Sequence, residues 1–367
     1  MKFFLLLCLG LFAACPSGAA QADTLLFDSH AVLELSIPLD FKALCRPRED
    51  PDCDYTPTSL DYVDEHGQRK ALPIEVKIRG GWRSLTRNCS APLLFIRFNE
   101  QETAETPFQG QSLLPLTTHC GQGLSIEATR TRRIRSTWEQ YLLREYLAHR
   151  LYNAVTEVSL NARLVHMTYP NPDKPGRSVV NYAFFTEHFE SVAARNGDEL
   201  LPRGSFDHEK LDARAAGLLA LFQYMIGNTD WSIVRERNVV LLQDSSGLLQ
   251  PLPYDFDMSG LVNAHYAGPA PMLPIQEVTE RYYLGFCDPE TDWNSLFTSY
   301  LDQQEAMLRM VDEVPGLDKK SIKAAHRFLG KFFTTLQSGE LREKNIVHRC
   351  QPWPPSTIDH TTPSEMR

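Results

Sequence analysis

The stretch 221-LFQYMIGNTDWSIVRERNVVLL-242 and the later 251-PLPYDFDMSG-260 place polar side chains directly beside strongly apolar segments. Residues 211–226 are apolar enough to predict a central buried helix. Residues 239–253 predict a hairpin around the turn 244-DSSG-247. Carboxylates beside buried surface are costly unless they are paired, hydrogen bonded or bound to metal. This part of the chain is therefore where a functional site is expected.

The polar residues of this stretch cluster at the two ends of the predicted hairpin. Asn228 and Asp230 follow the helix, Asn238 precedes the hairpin, and Asp255 and Asp257 follow it. The two ends of a hairpin lie side by side, so Asn238 is expected close to Asp255. Their oxygen ligands suit Mg²⁺ or Mn²⁺ better than zinc. The alternative is that these residues only cap helices and form turns.

Composition and the N-terminal residues indicate an exported globular protein. The chain has 367 residues, of which 43% are hydrophobic, and its formal net charge of -9 disfavours a nucleic-acid partner. Residues 1–22 have the basic start, apolar run and A-x-A end of a signal peptide. Cleavage before Cys15 would instead give a lipoprotein, which Phe12 and Pro16 disfavour. No later run has the roughly 20 apolar residues of a transmembrane helix.

Cysteine usage agrees with an oxidising compartment. Six cysteines follow residue 22, and an even number in an exported chain predicts disulfides. No C-x-x-C motif supports a zinc ribbon or a thioredoxin-type site. Six cysteines allow about 15 pairings, and free buried thiols are the alternative. Proximity in sequence favours the pairs Cys45–Cys53, Cys89–Cys120 and Cys287–Cys350.

The order of predicted elements indicates an α+β fold with two lobes and a cleft between them. Strands are predicted at 31–37, 74–79, 93–98, 162–169 and 178–186, and helices at 137–153, 292–312 and 317–336. Residues 23–186 would form a β-rich N-lobe with one main helix. Residues 187–350 would form a mostly helical C-lobe, and 351–367 a flexible tail.

Several short motifs occur in a characteristic order. They are 78-IRGGWRS-84, 138-WEQYLLREYLAHRLYN-153, 180-VNYAFFTEHFE-190, 226-IGNTD-230, 237-RN-238 and 253-PYDFD-257, the last followed by Gly260. Together they resemble the protein-kinase-like proteins of the spore-coat CotH type and, more loosely, HipA-like and secreted Golgi kinases. The resemblance implies a two-lobed protein-kinase-like fold, with ATP or another nucleotide and Mg²⁺ or Mn²⁺ as cofactors.

The resemblance also implies roles for the polar cluster. Asp230 would be the catalytic base, and Asn228 would orient its loop. Asn238 and Asp255 would be metal ligands, with Asp257 as an alternate ligand. These are the parts that phosphoryl transfer requires, since its catalysis consists mainly of positioning and charge stabilisation.

The nucleotide contact departs from the expected pattern. A kinase uses a strand Lys that pairs with a helix Glu, and this chain has Arg97 where CotH-like sequences carry lysines. The candidate cations are Arg97, Lys77, Arg79 and Arg83. The candidate partners are Glu139 and Glu145.

Two functions follow from this reading. The first is an exported phosphotransferase that acts on a hydroxyl of a protein or small-molecule substrate in the envelope. The second is a non-catalytic, pseudokinase-type binding protein on the same fold, which the missing Lys favours. P-loop, Rossmann, H-E-x-x-H and G-x-S-x-G motifs are absent from the sequence. The oligomeric state stays open.

Overall fold

The computed structural model describes residues 25–50, 52–64, 66–121, 124–127, 137–288 and 291–353. The predicted signal peptide and most of the predicted tail lie outside these residues. The strands are β1 (Leu33–Ser36), β2 (Thr56–Val63), β3 (Arg69–Ile78), β4 (Leu94–Phe98), β5 (Leu113–Thr117), β6 (Leu124–Glu127), β7 (Ala162–Pro170), β8 (Arg177–Thr186), β9 (Glu199–Leu200), β10 (Val239–Gln243), β11 (Leu249–Pro253), β12 (Phe286–Cys287) and β13 (Gln351–Pro352). The α-helices are α1 (Thr137–Asn153), α2 (Phe189–Asn196), α3 (Ala213–Ile226), α4 (Trp293–Leu301), α5 (Gln304–Glu313), α6 (Lys319–Gln337) and α7 (Gly339–Asn345).

Seven strands close into a barrel in the order β5-β4-β3-β2-β1-β7-β8. Closure occurs at the end of β8, where Phe184 and Phe185 pair with β5. The opposite end of β8 pairs with β6, which lies outside the ring. Neighbouring strands are antiparallel except β1 and β7, which run parallel. Closure leaves these strands without the exposed edge of an open sheet.

Alternation along the strands separates two apolar cores. On β8, Ala183 and Phe185 belong to the apolar interior of the barrel, whereas Phe184 belongs to the core formed with the helices. Successive side chains of a strand point to opposite faces, so one sequence run supplies both cores. The barrel interior is filled by side chains such as Ile96, Phe108 and Met167, all fully buried.

The second core joins the outer face of the barrel to the helices. It includes side chains of α1, β7 and β8 together with those of α3, α4, α5 and α6. The central helix α3 begins at Asp212, whose side chain accepts from the backbone N–H of Ala215 at 2.8 Å. It ends at Gly227, whose φ of 65° suits a residue without Cβ. The predicted buried helix at 211–226 is therefore confirmed.

The expectation of a two-lobed protein-kinase-like fold is wrong. The strands close into a seven-stranded barrel, and helices make up 29% of the structure. The β-rich half also shares its outer core with the helical half, so α1 and α3 belong to one apolar cluster. Barrel closure pairs β5 with β8 across about 70 residues of sequence. That long-range contact has no local sequence signal. The domain boundaries proposed above stay predictions.

Other local predictions agree with the structure. The hairpin at 239–253 is confirmed as β10 and β11, and the helix at 317–336 as α6. The helix predicted at 292–312 is two helices, α4 and α5, separated at Asp302 and Gln303.

All three predicted disulfides form. The Cα atoms are 5.5 Å apart in Cys45–Cys53, 4.7 Å in Cys89–Cys120 and 5.5 Å in Cys287–Cys350. These bonds are compatible with export, because disulfides persist in oxidising compartments. Among the described residues, no helix has both the length and the apolar character needed to cross a membrane.

Candidate functional site

The mouth of the β10–β11 hairpin brings Asn238 and Asp255 together. Val239 pairs with Pro253 in the register of the hairpin, and the N–H of Tyr254 donates to the carbonyl oxygen of Asn238 at 3.0 Å. Asn238 has φ 51° and Asp255 has φ 61°. Left-handed backbone is uncommon for residues other than glycine, and such conformations cluster at functional sites.

Asp230 is held beside this mouth by the loop that follows α3. The side chain of Asn228 is buried and donates to Oε1 of Gln223 at 2.9 Å. Its Oδ1 accepts from the backbone N–H of Asp230 at 2.9 Å. Asn228 thus connects the end of the helix to the backbone of Asp230, and its role in orienting the loop for catalysis stays a prediction.

Asn238 and Arg237 both contact Asp230. The Nδ2 of Asn238 donates to the backbone oxygen of Asp230 at 2.7 Å and to its Oδ2 at 3.0 Å. Arg237 lies 3.4 Å from Oδ1. Burial raises the pKa of Asp230, Arg237 opposes the rise, and the charge of Asp255 adds to it. A carboxylate with a raised pKa accepts a proton more readily near neutral pH.

Arg83 is the centre of the site. It lies on a 3-10 helix, Trp82–Ser84, directly after a Gly-Gly turn, and is 8% exposed. Its guanidinium contacts Asp255, lies 3.4 Å from Glu145 on α1, and lies 3.6 Å from Asp257. Burial favours a lower pKa for Arg83, but the charges of Asp257, Asp255 and Glu145 raise it well above its usual value. Arg83 is therefore permanently cationic.

The carboxylates around Arg83 carry more charge than it neutralises. Glu145 and Asp257 are buried, and burial raises the pKa of each while Arg83 opposes the rise. The hydroxyl of Tyr266 donates to Oδ2 of Asp257 at 3.0 Å. One guanidinium beside the three carboxylates leaves an excess of negative charge when all are ionised. A divalent cation would remove that excess.

Arg79 lies beside the cluster but is bound to the barrel. Its Nε donates to the carbonyl oxygen of Leu94 at 3.2 Å, and a terminal nitrogen donates to Oγ1 of Thr117 at 3.2 Å. Burial lowers the pKa of Arg79 to about 10, and the neighbouring Arg83 contributes. Arg79 is therefore a second cation near the site whose side chain is already anchored.

Two other candidates contact different parts of the molecule. Arg97 pairs with Glu75 at 2.6 Å and lies 3.9 Å from the ring centre of Tyr55, on the surface of the barrel. Glu139 accepts from the backbone N–H of Tyr182 at 3.2 Å, which connects α1 to β8. Arg83 and Glu145 are a candidate cation and a candidate acid that the fold brings into contact.

Sequence reasoning missed Tyr266 and its aromatic neighbours. Tyr266 stacks on Trp138 with ring centres 5.5 Å apart and lies 5.3 Å from Trp82, which is half exposed. No sequence pattern links Tyr266 to Asp257, because the loop between them is irregular. The Gly-Gly turn before Arg83 is the local signal that could have favoured Arg83 over Arg97.

The residues present offer the oxygen atoms that a hard divalent cation prefers, but among the described residues their carboxylates do not form a group of three with ligand atoms within 4.8 Å of one another. Asn238 and Asp255 are neighbours at the hairpin mouth, Asp257 lies 3.6 Å from Arg83, and the side chains of all three carry oxygen atoms. In the described part of the chain, the one close grouping of three His, Cys, Asp or Glu ligand atoms is Cys45, Asp50 and Cys53. The two cysteines there form a disulfide and are not available to a metal.

Comparison of this chain with protein-family models, curated proteins and solved structures finds no match.

Proposed function

We propose that the cluster around Arg83 binds the phosphates of a nucleotide together with Mg²⁺ or Mn²⁺ and transfers a phosphoryl group to a hydroxyl. The acceptor is a protein or small-molecule substrate, and the nucleotide is ATP or a related triphosphate. The proposal concerns the chemistry of the site and does not depend on a kinase-like fold.

One observation carries this proposal. Five residues from different parts of the chain converge on one site: Arg83, Glu145, Asp230, Asn238 and Asp255. Phosphoryl transfer needs a proton acceptor for the attacking hydroxyl, oxygen ligands for a cation and a fixed positive charge. This convergence supplies each of these from a different element of the fold.

Each residue then has a definite task. Asp230 accepts the hydroxyl proton while the hydroxyl oxygen forms a bond to the terminal phosphorus and the bond to the leaving nucleoside diphosphate breaks. Arg83 stabilises charge on the transferring oxygens, and Glu145 holds its guanidinium. Asn238 and Asp255 would hold the cation. When bound, the cation would neutralise charge on the phosphates.

A second candidate function is non-catalytic binding of a ligand at the same site. The observation that favours it is the contact between Arg83 and Asp255. In this contact the guanidinium of Arg83 occupies one carboxylate oxygen of Asp255, the expected metal ligand. A site in which Arg83 permanently replaces the metal would recognise an envelope or extracellular partner without transferring phosphate.

The first test is thermal unfolding of the oxidised protein with ATP, with Mn²⁺, and with both. Ligand at about 100 times its Kd stabilises the native state by roughly 2.7 kcal/mol. We expect this shift with both ligands together and its loss in Asp255→Asn. The matched control is Asp173→Asn in the exposed turn between β7 and β8, which should shift like the wild type. An equal shift in Asp255→Asn would contradict the assignment.

The second test separates transfer from binding. In Asp230→Asn the Mn²⁺–ATP shift should persist, because Asp230 is assigned to the proton and not to the cation. Incorporation of labelled γ-phosphate into the protein itself or an added hydroxyl acceptor should fall by about 10²-fold or more. A wild type that binds Mn²⁺–ATP but transfers no label to any acceptor would favour the second candidate function.

We also propose that the protein works outside the cytoplasm, in the periplasm or secreted. The support is the set of three disulfides and the signal-peptide pattern of residues 1–22. Mass spectrometry of protein recovered from the native host tests this directly. A mature chain that begins at Asp23 supports export, a lipid-modified Cys15 supports the lipoprotein alternative, and an intact Met1 contradicts both.

A further inference from the structure

Arg83 belongs to a loop that is anchored from a distant part of the chain. We call residues 80–89 the site loop. Arg46 lies in a turn between β1 and β2 and is 6% exposed. One of its terminal nitrogens donates to the carbonyl oxygens of Ser84 at 2.9 Å and Cys89 at 3.2 Å. Arg46 thus binds the backbone immediately after Arg83.

Neighbours of Arg46 make further contacts with the same loop. Oε1 of Glu49 accepts from the backbone N–H of Thr86 at 3.1 Å and from its hydroxyl at 2.9 Å. The guanidinium of Arg48 lies next to Gly81, 3.4 Å from where a Cβ would be. Residues 46–49 therefore contact the site loop at its start, middle and end.

A disulfide constrains the segment that makes these contacts. Cys45 directly precedes Arg46 and is bonded to Cys53, which closes a short loop. Inside that loop, the N–H groups of Glu49 and Asp50 donate to the carbonyl oxygen of Arg46 at 2.9 and 2.8 Å. Closing a loop covalently reduces the conformational freedom of the residues in it. The far end of the site loop is bonded to Cys120 through Cys89.

We propose that Arg46 is a positioning residue for Arg83 and that the Cys45–Cys53 disulfide keeps it in place. Arg46 touches none of the acidic residues of the site. It acts through the backbone of the site loop, which sets where the guanidinium of Arg83 meets Glu145, Asp255 and Asp257. Its relevance to nucleotide binding rests on the function proposed above, but its effect on the site loop does not.

The test uses the oxidised full chain and two changes that release the same anchor. One is Arg46→Ala, and the other is Cys45→Ser with Cys53→Ser. Arg46→Lys keeps the charge but ends in a compact ammonium on a shorter side chain, so it is measured if Arg46→Ala fails to fold. The matched control is Cys287→Ser with Cys350→Ser, which removes a disulfide that spans 63 residues and involves neither Arg46 nor the site loop.

The first readout is amide hydrogen exchange in the site loop. The N–H groups of Asn88 and Cys89 both donate to the carbonyl oxygen of Leu85 at 3.0 Å, so they report whether the loop keeps its shape. Their exchange should accelerate by about tenfold or more in both anchor variants. In the control, any change in their exchange should match the change in the global free energy of unfolding. Unchanged exchange in Arg46→Ala, with the protein folded, would refute the positioning role.

The second readout is the Kd for ATP in the presence of Mn²⁺. Each anchor variant should bind at least about tenfold more weakly than the control variant, as expected for the loss of hydrogen bonds to a charged group. A loosened site loop with unchanged Kd would show that Arg46 does not position the site. If the wild type binds no nucleotide, the proposed function fails, and the exchange experiment still decides the role of Arg46.

Discussion

Arg83 should be necessary for stability at neutral and alkaline pH and much less so in mild acid. Arg83→Met keeps most of the buried volume of the side chain but removes the cation between Glu145 and Asp257, both buried. Removing one partner of a buried ion pair costs about 3–5 kcal/mol, because the remaining charge is left uncompensated. We expect a loss in this range at pH 8. Asp255 adds little, since its side chain is 38% exposed.

The sign of the pH dependence follows from the two buried carboxyls. Burial already raises the pKa of Glu145 and of Asp257 while Arg83 is present, and its removal raises both further. A group whose pKa is higher in the native state than in the unfolded state destabilises the native state as pH rises above its unfolded value. The cost of Arg83→Met should therefore shrink from pH 8 to pH 5.5, by up to about 1.4 kcal/mol per pH unit for each proton taken up.

Urea unfolding of the wild type and Arg83→Met at pH 5.5 and pH 8 measures this difference. The control is Arg97→Met, because Arg97 pairs with Glu75 on the exposed barrel surface and should cost less than about 1 kcal/mol at either pH. Mn²⁺ should restore part of the stability of Arg83→Met at pH 8. A cost that is equal at both pH values, or larger at pH 5.5, would refute the view that Arg83 neutralises buried carboxylates.

Three further predictions concern the fold. Burial lowers the pKa of His119 to about 4, so the native state resists its protonation and stability is lost as pH falls from 6.5 toward 4. Between these pH values His119→Leu should lose about 3 kcal/mol less stability than the wild type in thermal unfolding, and an equal loss in both proteins would contradict the assignment. Gly227→Ala should cost about 1 kcal/mol in urea unfolding, because its φ is 65°; no loss would show that the C-cap is not strained. Cys287→Ser with Cys350→Ser should lower the stability by about 4 kcal/mol, since the bond spans 63 residues, and a loss under about 1 kcal/mol would argue against that chain-entropy view.

Local signals predicted the elements that depend on local contacts. The buried helix α3, the β10–β11 hairpin and α6 each follow from apolar periodicity, turn residues or caps within the segment itself. The three disulfides were also predicted, because each cysteine pairs with its neighbour along the sequence.

The closed barrel could not be predicted in the same way. Its parallel pairing of β1 with β7 and its closure of β5 on β8 join strands that are far apart in sequence. Short strands such as β1 and β5 carry the same alternation whether a sheet is open or closed. The motif order that resembled a two-lobed enzyme contains no information on this closure, and that is why the fold prediction failed.

The residues of the candidate site also divide into those with a local sequence signal and those without one. Asp230, Asn238 and Asp255 were selected by a hairpin whose ends must meet, and the structure brings them together. The Gly-Gly turn before Arg83 is a local signal that favours Arg83 over Arg97, but the contact of Arg83 with Glu145 depends on the position of the site loop relative to α1. Arg46, which contacts that loop from about 40 residues away, has no sequence signal at all.

The two candidate functions differ in whether Arg83 or a metal ion occupies the carboxylate of Asp255. A cation that uses Asp255 must compete with Arg83 for the same carboxylate, while Glu145 and Asp257 also contact the guanidinium. Phosphate oxygens would offer Arg83 an alternative partner, because guanidinium binds phosphate as well as carboxylate. Nucleotide and metal should therefore bind cooperatively, each removing the obstacle to the other. Strong binding of Mn²⁺ alone would contradict this coupling.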